Sequence, residues 1–107
     1  IVRLPVVPAD CQLNGHIFYV ILSNRRQRDA FISEMKARGI ATPFHYVPLH
    51  SSPAGLKFCR SVKSLPHTEF AGDGLVRLPL FPTLSESEIA HVVKSALETL
   101  VQMKAAE

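Results

Sequence analysis

Two prolines, Pro43 and Pro48, bracket the segment that most restricts how this chain folds. Each proline removes a backbone hydrogen-bond donor and fixes φ, so such a segment marks the edge or the end of a strand. The six residues from His45 to His50 contain two imidazoles and, in Tyr46, a phenol. We expect these side chains to project from a strand end into a loop, where binding residues are often found. The alternative, in which each histidine is a hydrogen-bonded structural side chain, fits the segment equally well.

The size and composition predict one globular domain over residues 1–107. A chain of 107 residues is long enough for one modest core. Its 47% hydrophobic and 20% charged residues exclude a disordered or collagen-like chain. No apolar run approaches the ~20 residues of a membrane span, and no signal peptide is present, which favours a cytoplasmic protein without a membrane partner. The chain opens without an initiator Met in a Pro-punctuated apolar stretch, as a cut through a longer protein would.

The first half of the chain reads as a strand followed by a helix. Residues 16–22 form a β-branched and aromatic run that predicts a buried strand. Asn24 is a good N-cap with Gln27 in capping-box register, so we expect a helix from there to about Arg38. Gly39 is placed to end it at the C′ position.

The middle of the chain gives weaker signals. Residues 40–46 predict a second strand, weakened by Pro43. Residues 54–60 suggest a short helix, with loop elsewhere up to residue 73, and residues 72–74 (Gly-Asp-Gly) suggest a turn. Residues 75–80 predict a third short strand that ends at prolines.

The final element is the most clearly marked. Ser85 and Glu88 form a capping box that begins a long helix. Apolar residues recur at helical spacing along it, so we expect this stripe to cover the sheet and a Val93→Asp change to disrupt the fold. The stripe consists of Ile89, Val92, Val93, Ala96, Leu97, Leu100 and Val101. The order of elements predicts an α/β two-layer sandwich with its helices on one face.

Charged residues offer two candidate anion contacts. Arg25, Arg26 and Arg28 cluster at the start of the first predicted helix, where cations oppose the helix dipole. A solvated charged face is the favoured interpretation, and an acidic neighbour or a ligand is the alternative. Arg77 lies between apolar residues on a predicted strand and needs a partner. We favour a carboxylate within the fold over a substrate anion. The remaining basic residues form no nucleic-acid motif, so no nucleic-acid partner is expected.

Metal and nucleophile sites find little support. Zinc needs three or four ligands, and His45 and His50 have no third ligand nearby at a recognisable spacing. Ser51 and Ser52 lack the signature of an activated nucleophile. Cys11 and Cys59 are expected to be free thiols. We therefore expect no metal and no catalytic residue in this chain.

Three motifs in order resemble one family. They are NGHIFY at residues 14–19, FHYVPLHSSPAG at 44–55 and RLPLF at 77–81. Together they resemble the PLP-dependent nucleotide-sugar aminotransferases of the DegT/StrS type, over residues 4–100. The resemblance implies the small C-terminal domain of a fold-type-I aminotransferase, cut away from a large PLP-binding domain that this chain lacks. It also implies that the fragment alone is inactive, with no cofactor-binding residue. None of the lysines lies in a segment resembling the family's PLP-lysine motif: Lys36, Lys57, Lys63, Lys94 and Lys104.

The resemblance also implies a reaction and a role for the histidine segment. An amino group would pass from glutamate through PLP to a TDP-4-keto-6-deoxyhexose, in deoxysugar biosynthesis for surface polysaccharides, within an intact homodimer. His45, Tyr46 and His50 would bind the substrate at the cleft between the domains. An isolated small domain should also leave an apolar patch uncovered. The alternative function is a stand-alone ligand-binding or regulatory α/β module without catalysis.

Overall fold

A computed structural model describes residues 2–60 and 64–106 of the chain. These residues form a small α/β fold with a three-stranded sheet and four α-helices. The strands are β1 (Val2–Arg3), β2 (Phe18–Leu22) and β3 (Leu75–Leu78). The helices are α1 (Arg25–Ala37), α2 (Pro53–Phe58), α3 (Pro66–Gly74) and α4 (Glu86–Ala105), with a 3-10 turn at Leu49–Ser51.

The sheet is antiparallel throughout, in the order β1-β2-β3. Because side chains alternate along a strand, the central strand β2 presents two different faces. Val20 and Leu22 are buried on one face, where Val20 pairs with Val76 of β3. Tyr19 pairs with Arg77, so both lie on the opposite face. The face with Val20 is the core face, and α1 and α4 contribute to that core.

Helix α1 confirms the prediction made from its caps. The Asn24 side chain accepts a hydrogen bond from the Gln27 amide at 3.0 Å. Gly39 has a φ of +77°, the left-handed conformation that ends a helix with little strain only at glycine. Phe31 and Met35 are fully buried and fix the helix on the sheet.

Helix α4 begins at the predicted capping box. The Ser85 side chain accepts from the Glu88 amide, and the Glu88 carboxylate accepts from the Ser85 amide at 2.8 Å. The predicted apolar stripe is only partly buried. Val92 and Ala96 reach the core, whereas four members of the stripe are 45–69% exposed: Ile89, Val93, Leu97 and Val101.

Two predicted segments were wrong. Residues 40–46 do not form a strand; they make one isolated bridge, between Phe44 and Val76, because Pro43 cannot donate to a ladder. Residues 66–74 are a helix, although their glycines suggested a loop and turn. Gly74 is needed there, since a Cβ would collide with the Leu22 carbonyl oxygen. The predicted helix at 54–60 is found as α2, and the predicted strand at 75–80 is the shorter β3.

Candidate functional site

A pocket of about 480 Å³ opens between the loop at residues 45–49 and helix α3. His45 and Tyr46 line it on the loop side, and His67 and Thr68 line it from the first turn of α3. The rest of the lining is mainly apolar: Val47, Pro48, Leu49, Ala71, Gly72 and Leu75. Small-molecule sites commonly have this composition, with a few polar groups set in apolar walls.

His45 and Tyr46 are adjacent in sequence, and their rings touch in the lining of this pocket. Their ring centroids lie 4.6 Å apart at 67°, an edge-to-face contact. Tyr46 is 69% exposed, so most of its ring is available to a ligand. Nδ1 of His45 is buried and has no hydrogen-bond partner within residues 2–60 and 64–106. A buried polar atom without a partner costs stability, so Nδ1 of His45 is a group that a ligand could pair with.

His50, the third predicted binding residue, lies outside the pocket lining. Its side chain is only 13% exposed, and Nε2 lies 3.3 Å from Oε1 of Glu69 on α3. The same carboxylate accepts a hydrogen bond from the Leu65 amide at 3.1 Å. These hydrogen bonds, from the Leu65 amide first and from His50 next, lower the pKa of Glu69 below its ordinary value of 4.5. His50 thus ties the loop to α3.

Arg28 contacts the pocket through Gly72, a residue of its lining. It is buried, donates a hydrogen bond from Nη1 to the Gly72 carbonyl at 2.9 Å, and stacks its guanidinium 5.1 Å from the centre of the Phe44 ring. It also pairs with Asp29 at 2.7 Å. The arginine trio is therefore not a uniformly solvated face. Two of the three arginines have acidic neighbours, as the alternative held: Arg28 pairs with Asp29, and Arg25 pairs with Asp73 at 3.3 Å.

Sequence reasoning missed the α3 side of the pocket. The sequence assigns no binding role to His67 or Thr68, because the pattern of residues 65–74 predicts a loop. The available signal was Pro66, which is favoured at the first position of a helix, followed by Glu69 within the first turn.

Arg77 does not have the internal partner that the sequence favoured. No ion pair between residues of the described chain involves Arg77. Its Nε is buried without a hydrogen bond in the same part of the chain. The expected carboxylate anchor within the fold was therefore wrong for the residues that the structure describes.

A second concave region lies along α4 and is almost wholly apolar. One groove of about 390 Å³ runs between the strand ends and α4, and an adjoining one of about 550 Å³ follows α4 itself. Both grooves include Ile89 and Val93, and Leu97 extends the second. This apolar face of α4 is the kind of surface that monomeric proteins usually cover.

Neither a metal cluster nor a membrane helix is found in the described residues. No group of three or more His, Cys, Asp or Glu residues within 2–60 and 64–106 could hold a metal ion. None of the helices in those ranges is long and apolar enough to cross a bilayer. Cys11 and Cys59 are free and exposed.

The fold and the sequence together define a class of protein. The chain matches the DegT/DnrJ/EryC1/StrS aminotransferase family over residues 2–97 and belongs to that family. Its α/β fold matches that of fold-type-I aminotransferases. An aminotransferase, TlmJ, from Streptoalloteichus hindustanus superposes with a TM-score of 0.84 at 29% identity, over 96% of this chain and 27% of its own.

Individual relatives include sugar aminotransferases. The dTDP-4-dehydro-2,3,6-trideoxy-D-glucose 4-aminotransferase of Saccharopolyspora spinosa is 34% identical over 91 residues, which is 85% of this chain and 23% of that protein. A pleiotropic regulatory protein of Geobacillus stearothermophilus is 31% identical over 96 residues, which is 89% of this chain and 26% of the relative. The chain thus spans about a quarter of the length of the relatives it matches.

The described residues do not by themselves form a binding site for PLP, the cofactor that the family implies. That cofactor is joined to a lysine, and no lysine lines the pocket beside His45. All four lysines in the described ranges are exposed: Lys36, Lys57, Lys94 and Lys104. Lys63, the fifth, lies outside the described residues.

Proposed function

We propose that this chain is the small C-terminal domain of a PLP-dependent nucleotide-sugar aminotransferase. The intact enzyme would be a homodimer that moves an amino group from glutamate to a TDP-4-keto-6-deoxyhexose. Within that class, the motifs resemble those of the transaminase that makes TDP-4-amino-4,6-dideoxygalactose. The observation that carries the proposal is the family match over residues 2–97 by a chain a quarter as long as its relatives.

The pocket between the loop and α3 is the proposed contact with the sugar nucleotide. Its mainly apolar walls suit a deoxysugar or base ring, and its few polar groups can orient that ring. His45 and Tyr46 would touch the ligand by hydrogen bonding and ring stacking. His50 would act indirectly, since its contact with Glu69 holds the loop that carries the other two residues.

PLP would be held by polypeptide outside this chain, which explains why its lysines are ordinary surface residues. The cofactor would carry the amino group between donor and keto sugar. The apolar face of α4 supports the same arrangement, because a larger domain packed against it would cover Val93 and Leu97.

A graft tests the proposal directly. We would replace the aligned segment of the Streptomyces venezuelae dTDP-3-amino-3,4,6-trideoxy-α-D-glucose transaminase, 34% identical over 98 residues, with this chain. We expect the graft to bind PLP and to transaminate. His45→Ala in the graft should lower kcat/KM by about tenfold, equivalent to about 1.4 kcal/mol. His91→Ala, an exposed histidine on α4, is the matched control and should leave kcat/KM unchanged.

Two results would contradict the proposal. A graft that folds and shows the PLP absorbance band but does not transaminate would argue against an aminotransferase domain. The same holds if the 107-residue chain, purified alone with added PLP, transaminates keto sugars, because the reactive lysine would then lie in this chain. Equal activity of the His45→Ala and His91→Ala grafts would remove the pocket from the proposal while leaving the domain assignment intact.

A regulatory role is the second candidate. It is favoured by one observation, the 31% identity to a pleiotropic regulatory protein. A regulatory module would bind its ligand without help from PLP-binding polypeptide. Activity of the graft separates the two candidates, since a regulatory module has no reason to restore transamination.

A further inference from the structure

The turn that leads into β2 contains an asparagine followed directly by a glycine, Asn14 and Gly15. Both residues are exposed and lie outside the helices and strands of the described chain. Oδ1 of Asn14 accepts a hydrogen bond from the His16 amide at 3.1 Å, so the asparagine side chain folds back along its own backbone. This hydrogen bond closes a ring of atoms that contains both Cγ of Asn14 and the peptide nitrogen of Gly15.

The peptide nitrogen of Gly15 is not shielded by the protein. Gly15 has a φ of +67°, which glycine adopts readily, and a Cβ added there would meet nothing within 4 Å. Its N–H donates no hydrogen bond to an acceptor in residues 2–60 or 64–106. The nitrogen is therefore open to solvent base and, once deprotonated, can attack a neighbouring carbonyl carbon.

We propose that Asn14 is a site of spontaneous deamidation, with the nitrogen of Gly15 as the nucleophile. Base removes the Gly15 amide proton, and the nitrogen bonds to Cγ of Asn14, which closes a five-membered imide. The bond from Cγ to the side-chain nitrogen breaks, and that nitrogen takes up a proton and leaves as ammonia. Water then opens the imide at either carbonyl. Cleavage of the bond between the Gly15 nitrogen and Cγ gives aspartate, and cleavage of its bond to the backbone carbonyl carbon gives isoaspartate.

Asn24, the other asparagine of the chain, is an internal comparison. It is also exposed, so exposure alone does not distinguish the two asparagines. Its Oδ1 accepts from the Gln27 amide at 3.0 Å and thereby caps α1. The next residue, Arg25, is the first of that helix and carries a side chain that pairs with Asp73. Attack by the Arg25 nitrogen would require the cap to open, so we expect Asn24 to react slowly.

Asp73 and Gly74 form the second pair in the sequence that could close such an imide, in this case with loss of water. They lie at the end of α3, where Gly74 is buried. A Cβ added at Gly74 would collide with the Leu22 carbonyl oxygen, so the glycine backbone is closely packed against β2. The fold therefore protects Asp73 and leaves Asn14 open.

Deamidation would change the surface beside α4. Leu13 and Gly15 both line the apolar groove of about 390 Å³ between the strand ends and α4, so a carboxylate at residue 14 would stand at its edge. The formal net charge of +3 would fall by one unit. In the isoaspartate product the backbone also runs through Cβ, which lengthens the turn before β2. This inference goes beyond the proposed function, because the reaction needs no cofactor, sugar or second domain.

The test is peptide mapping by mass spectrometry of the 107-residue chain, aged in mildly alkaline buffer. We expect Asn14 to deamidate about tenfold faster than Asn24 or more, and tenfold is the ratio that a barrier difference of about 1.4 kcal/mol gives. Methylation by an isoaspartyl carboxyl methyltransferase would identify the isoaspartate product. In urea, isoaspartate should also form at Asp73, because the packing around Gly74 is then lost.

Variants connect the change to the turn. Asn14→Gln should remove the more acidic species from ion-exchange profiles of the aged chain, since a glutamine would have to close a larger and less favourable ring. Asn24→Gln is the matched control and should leave those species in place. The proposal fails if Asn14 reacts no faster than Asn24 in the folded chain, or if Asn14→Gln ages as the parent does. Peptide mapping of the parent decides the matter even where a variant does not fold.

Discussion

Nε2 of His50 lies 3.3 Å from Oε1 of Glu69, and this contact joins the 3-10 turn to α3 across 19 residues of sequence. A carboxylate can only accept, so the imidazole carries its hydrogen on Nε2. Glu69 also accepts from the Leu65 amide at the start of α3. One carboxylate thus holds both the loop and the helix that form the pocket.

The pH dependence of this contact follows from the lowered pKa of Glu69. Its hydrogen bonds favour the charged carboxylate, so its pKa in the folded chain lies below the ordinary 4.5. The contribution of Glu69 to stability is therefore fully present above the pKa that it has in the unfolded chain. It is lost as the pH falls through the lower pKa that it has in the folded chain. We expect the amide signals of residues 46–50 to change below about pH 4.5, and Glu69→Gln to abolish that change.

Glu88 supplies the control for this titration. Its pKa is also lowered, by the hydroxyl and the amide of Ser85, but it lies at the start of α4. Glu88→Gln should flatten the acid dependence of overall unfolding and leave the loop signals as in the parent. If Glu88→Gln removes the loop transition and Glu69→Gln does not, the His50–Glu69 contact does not hold the loop.

Arg28→Lys should destabilise the chain even though it conserves the charge. An ammonium cannot reproduce the hydrogen bond to Gly72, the pair with Asp29 and the stacking on Phe44 at once. We expect a loss of about 1–3 kcal/mol in the free energy of unfolding, measured with urea. Arg26→Lys, two residues away on the exposed side of α1, should change it by less than about 0.5 kcal/mol. Equal effects of the two substitutions would show that burial of Arg28 contributes nothing specific.

Gly72→Ala should disturb the pocket where α3 packs against Pro48 of the loop. A Cβ added at Gly72 would lie 2.6 Å from Cγ of Pro48, so the loop or α3 must shift. Such overpacking typically costs about 1–3 kcal/mol, which urea unfolding would measure. Pro48→Ala removes the colliding ring atoms, so the double variant should lose less stability than the sum of the two single ones. Strict additivity would show that the two residues do not meet.

The sequence predicts those parts of the fold whose causes are local. Asn24 and Ser85 cap their helices through neighbours three residues away, and Gly39 ends α1 by its own backbone freedom. Helix α3 escaped prediction because Gly72 and Gly74 are weak helix formers. The contacts that favour it are tertiary: Arg28 donates to the Gly72 carbonyl.

The site was foreseen in part for the same physical reason. His45 and Tyr46 lie between Pro43 and Pro48, and these nearby prolines predict that the two residues lie in a loop. The role of His50 depends on its contact with Glu69. Arg77 lacks an ion-pair partner because neither β2 nor β3 carries a carboxylate. Both depend on contacts between distant segments, which no local pattern specifies.

Substitutions at Val92 and Val93 distinguish a residue that stabilises the fold from one on the exposed apolar face of α4. Val92 is 9% exposed within the core, whereas Val93 is 49% exposed on the apolar face of α4. The sequence alone suggested that Val93→Asp would disrupt the fold; the structure instead assigns that effect to Val92→Asp. Burial of an unpaired carboxylate there should cost about 3 kcal/mol or more, and Val93→Asp about 1 kcal/mol or less, by urea unfolding of the 107-residue chain.

The same substitution in the Streptomyces venezuelae graft tests whether a larger domain covers the apolar face of α4. If a larger domain covers the apolar face of α4, Val93→Asp places a charge inside that interface, so the graft should lose PLP occupancy or dissociate into unstable domains. His91→Asp also introduces an acidic residue on α4, at an exposed position outside both grooves, and tests whether charge alone is responsible. A graft that tolerates Val93→Asp as well as it tolerates His91→Asp would mean that the apolar face of α4 stays open to solvent in the graft.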